Sequence, residues 1–159
     1  MKAEYMNPFA EASFYVMKEV LMDESLTRGQ LGVQKGAVVS AGMTTVIGII
    51  GQLEGSVLFD MTTETALAIA GEMNGGETFT ELDSLVRSTI NEMANMISGN
   101  ASARLSSSGF NCDISPPTMV VGKGTEVFLY KADTRLALPI ITKCGEVNLA
   151  VSIAEKVKK

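Results

Sequence analysis

The chain has no histidine and no tryptophan, only two cysteines, and no apolar run approaching the roughly 18 residues that a membrane span needs. Each absence removes a class of function. Without imidazole there is no Ser-His-Asp or Cys-His nucleophile, no phosphohistidine relay and no histidine-based metal centre. Cys112 and Cys144 lie far apart with no Cys-x-x-Cys context. They cannot supply the four soft or imidazole ligands of a zinc site, and two reduced thiols are expected. A basic stripe is missing too: net charge is −5 and the isoelectric point about 4.8, which argues against nucleic acid or an anionic membrane as partner. The one basic cluster, Lys156, Lys158 and Lys159, reads as a solubilising tail. Met1 to Pro8 lacks the apolar core of a signal peptide, so a cytoplasmic location is expected. Gly122-Lys123-Gly124-Thr125 lacks P-loop spacing and reads as a hairpin turn, while Gly48, Gly51 and Gly55 precede no helix as a dinucleotide fingerprint would require.

What is present is enough for one packed domain spanning residues 1–159. Hydrophobic residues make up 46% of the chain, and a chain of this length buries about two-thirds of its unfolded surface. Ten methionines point to an adaptable core. Asn7-Pro8 reads as the cap and first residue of a helix, with Phe9, Ala12, Val16, Met17 and Val20 at helical spacing to about Glu24. The period then changes. Val33 to Ser40, Thr44 to Ile50 and Ser56 to Met61 are β-branched runs separated by glycine, and Gly51 to Gly55 reads as the turn of a hairpin. Thr62-Thr63-Glu64 starts a short helix that Asn74-Gly75-Gly76 stops.

The region beyond a second, longer helix is strand-like again: Thr118 to Val121, Glu126 to Lys131, Leu136 to Lys143 and Glu146 to Ile153. Pro139 marks its strand as an edge or a bulge. Helices and strands come in blocks, which predicts an α+β fold. The expectation is a mostly antiparallel β-sheet of about six to seven strands packed against helices, one of them long.

That helix carries the chemistry. Thr80 with Asp83 reads as a capping box and Gly109 as a C-terminal stop. At about 100° per residue, Leu82, Leu85, Val86, Thr89, Ile90, Met93, Ala94, Met96, Ile97 and Ala101 share an apolar arc. Ser84, Arg87, Ser88, Asn91, Asn95, Ser98 and Ser102 fill the opposite arc, with Glu92 at its edge. Asn100 reads as a hydrogen-bonded buried polar group and Arg104 as a carbonyl cap or a partner for an acid. Ser88, Glu92 and Asn95 stack along one stripe. Polar residues at this spacing usually form only a solvated face. The Glu92 carboxylate can also pair with a partner's lysine or act as a general base, and the Asn95 carboxamide can orient a water, as a glutamine does in small GTPases.

Together with Ile49 to Ser56, the helix start at Thr63 to Leu67, and Asp113-Ile114-Ser115-Pro116-Pro117-Thr118, the order Ser88, Glu92, Asn95, Pro116-Pro117 resembles the CheX branch of the CheC/CheX/FliY chemotaxis phosphatases over roughly residues 40 to 122. The pattern there is Ser or Asp, three residues, Glu, two residues, Asn, and a proline some twenty residues on; the proline is slightly closer here. The resemblance implies a CheC-like fold and a response-regulator phosphatase that hydrolyses the aspartyl phosphate of a CheY-like receiver domain. It implies Asn95 as the residue that positions the attacking water and Glu92 as the ligand of the receiver's lysine. Ser88, Asn91, Pro116 and Pro117 would contact the partner. The implied Mg²⁺ sits on the receiver, with no cofactor of the chain's own. A homodimer joined at strand edges is also implied, and unpaired β-branched strands would leave such an edge. CheC relatives carry two such sites; here the first helix offers Glu11 followed by Phe14. The alternative is a non-catalytic receiver-binding module using the same face.

Overall fold

The computed structural model describes residues 3–129 and 134–156. Its elements run α1 (Ala3–Leu21), β1 (Thr27–Arg28), β2 (Gly32–Lys35), β3 (Val38–Val39), β4 (Gly42–Gly51), β5 (Leu53–Thr62), α2 (Thr63–Met73) and α3 (Ser84–Ser107). Then follow β6 (Cys112–Ile114), β7 (Thr118–Val121), β8 (Glu126–Val127), β9 (Thr134–Thr142) and β10 (Gly145–Glu155). Eight strands form one antiparallel sheet in the order β1-β9-β10-β5-β4-β6, with β2 also beside β9 and β7 also beside β4. β3 and β8 form a separate ribbon. The α+β expectation holds, with more strands than expected because both outer strands are broken in two. Lys158, Lys159 and the last two residues of the expected Glu126–Lys131 strand lie outside the described residues.

Alternation along the strands decides which face is covered. Met43, Ile47 and Ile49 of β4, Leu53, Val57, Phe59 and Met61 of β5, and Val147, Leu149, Val151 and Ile153 of β10 meet the three helices in one core. The other face carries a smaller cluster in which Val38 of the ribbon covers Leu58 and Ala150. The β4–β5 hairpin closes where expected, its last registered pair being Ile49 opposite Gly55. Gly55 has φ +154°, and any side chain there would run into the Ser152 carbonyl of β10.

Pro139 is not on an edge, because β9 has β10 on one side and β1 with β2 on the other. The bulge alternative applies instead, on the neighbouring strand: four steps from Arg28 to Gly32 face three from Ile140 to Ala137. The Gly29 N–H still donates to the Pro139 carbonyl at 2.7 Å. The opposite edge repeats the device. Four steps from Ile114 to Thr118 face three from Val46 to Ile49, and Pro116-Pro117 occupy the break. Exchanging the two halves of the chain therefore maps the sheet order onto itself, with α1 and α3 as counterparts.

Three further expectations are corrected. α1 begins at Ala3, not at Asn7, and Pro8 lies inside it. Tyr5 and Met6 are buried in the core, and about 1.5–3 kcal/mol for each large apolar side chain offsets the roughly 3 kcal/mol that a helical proline costs. Burial, then Glu155 at 2.9 Å, pushes the Tyr5 phenol up to about 12. Second, α1 stops at Leu21 rather than near Glu24, with Met22 at φ 49°. Third, Gly122 to Thr125 is a turn but not a hairpin, since β7 and β8 pair with different strands. Cys112 and Cys144 are free thiols, and burial, then Glu72, raises the Cys144 pKa.

Candidate functional site

α3 is bounded by local chemistry at both ends. Asp83 is itself the N-cap, its carboxylate accepting the Val86 N–H at 2.9 Å, so Thr80 lies outside the helix rather than capping it. At the other end Gly109 adopts φ +95°. The Gly109 N–H donates to Ser106 O at 3.0 Å and the Phe110 N–H to Leu105 O at 2.9 Å, which is the Schellman arrangement. Phe110 then packs edge-on to Tyr5 with ring centroids 5.6 Å apart, tying the end of α3 to α1.

Two hydrogen bonds on opposite flanks set the roll of the helix. On one side Asn74, the C-cap of α2, donates to Thr89 Oγ1 at 3.0 Å. On the other, Ser102 Oγ donates to the Cys112 carbonyl of β6 at 3.3 Å. Val86, Ile90, Met93, Ala94, Ile97, Ala101 and Leu105 consequently face the core. With Ser88 as zero and about 100° per residue, Asn95 lies about 20° to one side and Glu92 about 40° to the other. All three are exposed. Among the described residues none has a hydrogen bond or ion pair through its side chain. They are held by their backbone alone and present free polar heads.

The other candidates are distributed around this line. Asn91 sits half-buried on the β6 flank, and its Oδ1 is enclosed with no protein partner. Pro116 is exposed and Pro117 half-buried in the break of the outer strand. There the Ser115 N–H donates to Gly48 O at 2.9 Å and the Gly48 N–H to Ser115 Oγ at 2.8 Å. Prolines fit this place because an outer strand leaves their missing N–H without consequence. Asn100 is partly buried and accepts from Arg104 Nε at 2.7 Å, and Arg104 binds Glu11 at 2.9 Å. Both expectations for that pair are met.

Three residues of α3 fall on the wrong side of the expected arcs. Ser98 is buried, while Leu85 and Met96 are 45% and 40% exposed. Leu85 and Met96 lie about 60° and 80° from Ser88, at the border of the apolar arc, where neighbours rather than period decide. No sequence signal marks them as exposed. A groove of about 510 Å³ continues the polar line past Asn95, between Gly99, Ser102, Ala103 and Ser106 on α3 and Ile50 and Cys112 to Asp113 on the sheet.

The earlier start of α1 brings into that helix a Glu-x-x-Asn that the sequence reading passed over, Glu4 and Asn7, both exposed. The outward residues Glu4, Asn7, Glu11 and Tyr15 of α1 have the same 3, 4, 4 spacing as Ser88, Asn91, Asn95 and Gly99. Glu11 is held by Arg104 and offers no amide.

Residues 43–141 match the family described as chemotaxis phosphatase CheX. A curated relative, the CheY-P phosphatase CheX of Thermotoga maritima, is 30% identical over 143 residues, covering 90% of this chain and 92% of that one. Among solved structures, the chemotaxis protein CheX from Desulfovibrio desulfuricans superposes with a TM-score of 0.82 at 26% identity, over 96% of this chain and 99% of that chain. The CheX–CheY–BeF3–Mg²⁺ complex from Borrelia burgdorferi matches with a TM-score of 0.80 at 29% identity, over 95% and 98%.

Proposed function

The chain belongs to the chemotaxis phosphatase CheX family, and from that premise we propose that it dephosphorylates a CheY-like receiver through the exposed line of α3. One observation carries the reading: Glu92 and Asn95, three residues apart, stand free on the outer face of a helix whose ends and roll are fixed. The relative that acts on CheY-P and the relative crystallised with CheY, BeF3 and Mg²⁺ support the substrate class.

The division of labour follows from what each group can do. The receiver brings the electrophile, an aspartyl phosphate, together with its Mg²⁺. Asn95 accepts a hydrogen bond from a water through Oδ1 and donates through Nδ2, which aligns that water with phosphorus. The water oxygen bonds to phosphorus, the bond to the aspartyl oxygen breaks, and carboxylate and inorganic phosphate leave. A carboxamide is too weak a base to drive this alone, so the gain comes from positioning. Glu92 binds the receiver's lysine and fixes the docking. Ser88 and Asn91 extend the contact along α3, and Pro116 and Pro117 shape the neighbouring edge. The chain needs no cofactor of its own in this scheme, and it acts in the cytoplasm. We also infer a homodimer joined at an outer strand edge; β2, with Val33 exposed, offers one and β7 the other.

The test is to phosphorylate a receiver with a small phosphodonor and follow phosphate loss with wild-type and Asn95→Ala protein. Loss of one positioned polar group should cost about 10²–10³ in turnover. The side chain has no partner to lose, so stability should stay within about 0.5 kcal/mol. Binding without accelerated loss, unaffected by Asn95→Ala, would instead make the protein a receiver-binding module.

A further inference from the structure

α3 is polar or small along most of its outward face: Ser84, Ser88, Gly99, Ser102, Ala103 and Ser106. Two large apolar side chains interrupt it. Leu85 and Met96 keep 45% and 40% of their surface in solvent. They share one azimuth to within about 20°, and Glu92 lies within about 40° of both. Along the axis Glu92 sits about 10 Å beyond Leu85 and about 6 Å short of Met96. A carboxylate thus stands on a line between two exposed hydrophobes, next to an amide.

Isolated exposed hydrophobes need no explanation. This pair differs in three ways. Both flank the same two functional heads, both sit on a rigid helix, and the residues between and beyond them are small enough for a flat partner to approach. The pair is also continuous with the face that Glu92 presents, so a partner that engages Glu92 lies against Leu85 and Met96. A carboxylate gripping a lysine in water is worth little. Closing apolar side chains on both sides of it excludes water and strengthens the pair, as energetically dominant interface residues generally require.

Resting on the phosphatase reading above, we propose that Leu85 and Met96 are the apolar anchors that seat the phosphorylated receiver on α3, setting KM while Asn95 sets kcat. The partner surface they fit is a receiver domain whose acidic, metal-loaded pocket and lysine are rimmed by apolar side chains. The anchors touch no reacting atom; they supply binding that is equal in the ground state and the transition state.

The experiment is steady-state dephosphorylation of the phosphorylated receiver by Leu85→Ser/Met96→Ser, with Phe128→Ser as control. Phe128 is 76% exposed beside the β3–β8 ribbon, so its replacement removes exposed apolar surface elsewhere. The expected result is a KM raised by about tenfold or more with kcat within about twofold, an unchanged KM in the control, and a KM restored by Leu85→Met/Met96→Leu. Thermal melting verifies that the double variant is folded; should it not be, the single variants are measured instead. A KM within twofold of wild type, or a loss confined to kcat, overturns the anchors. Wild-type protein that fails to accelerate phosphate loss from any receiver overturns the phosphatase reading itself, a separate outcome.

Discussion

Gly99 lies well inside α3, on its exposed face, where an added Cβ meets no atom within 4 Å. A glycine in a helix interior costs about 0.8–1 kcal/mol relative to alanine, because its unfolded backbone has more freedom to lose. Nothing here opposes the change: no neighbour clashes, and the helical backbone suits alanine. Gly99→Ala should therefore stabilise the protein by about 0.8–1 kcal/mol. For a chain of this length that raises Tm by about 2–4 °C, and with a urea m-value of about 2 kcal/mol/M it moves the midpoint up by roughly 0.5 M. Paired urea titrations and thermal melts of wild-type and variant protein measure both. An unchanged or lowered midpoint would refute the reasoning, by showing that the helix is not regular at Gly99 or that the side chain meets a neighbour.

Two further expectations follow from buried and open edges. The Ser25 hydroxyl, then the Lys143 N–H, hold the Asp23 carboxyl below its usual range. A depressed folded-state pKa gives stability that is present above the unfolded value of about 3.9 and is lost as pH falls through the folded one. Urea midpoints measured from neutral pH down to about pH 2.5 should fall at the acid end, and Asp23→Asn should flatten that limb; an identical slope in the variant contradicts the assignment. Sedimentation at micromolar concentration should give a dimer, and a stable monomer would remove the edge-joined homodimer.

Where structure follows from neighbours in the chain, the sequence was readable. The β4–β5 hairpin, the Thr62 cap of α2, its stop at Asn74-Gly75-Gly76 and the Gly109 stop of α3 all depend on residues within one turn of each other. The exposed line of Ser88, Glu92 and Asn95 was legible for the same reason, since helical period alone separates it from the core. The start of α1 was not, because what carries the helix back past Pro8 is the burial of Tyr5 and Met6 by distant elements. The broken outer strands and the β3–β8 ribbon were illegible as well, their pairings joining residues from 61 to 114 positions apart. Ser98, Leu85 and Met96 sit where the arc meets α2 or β6, and there packing decides.

The hydrogen bonds from Asn74 to Thr89 and from Ser102 to Cys112 have a consequence for tolerance. An amide tip about 6 Å from the axis of α3 travels about 1 Å for every 10° that the helix rolls. Misplacement by 1 Å can cost a hundredfold in rate. A helix steadied on both flanks keeps its aim before any partner arrives. On the proposed mechanism, the aim of the Asn95 amide is thus guarded by two hydrogen bonds that never approach the phosphate.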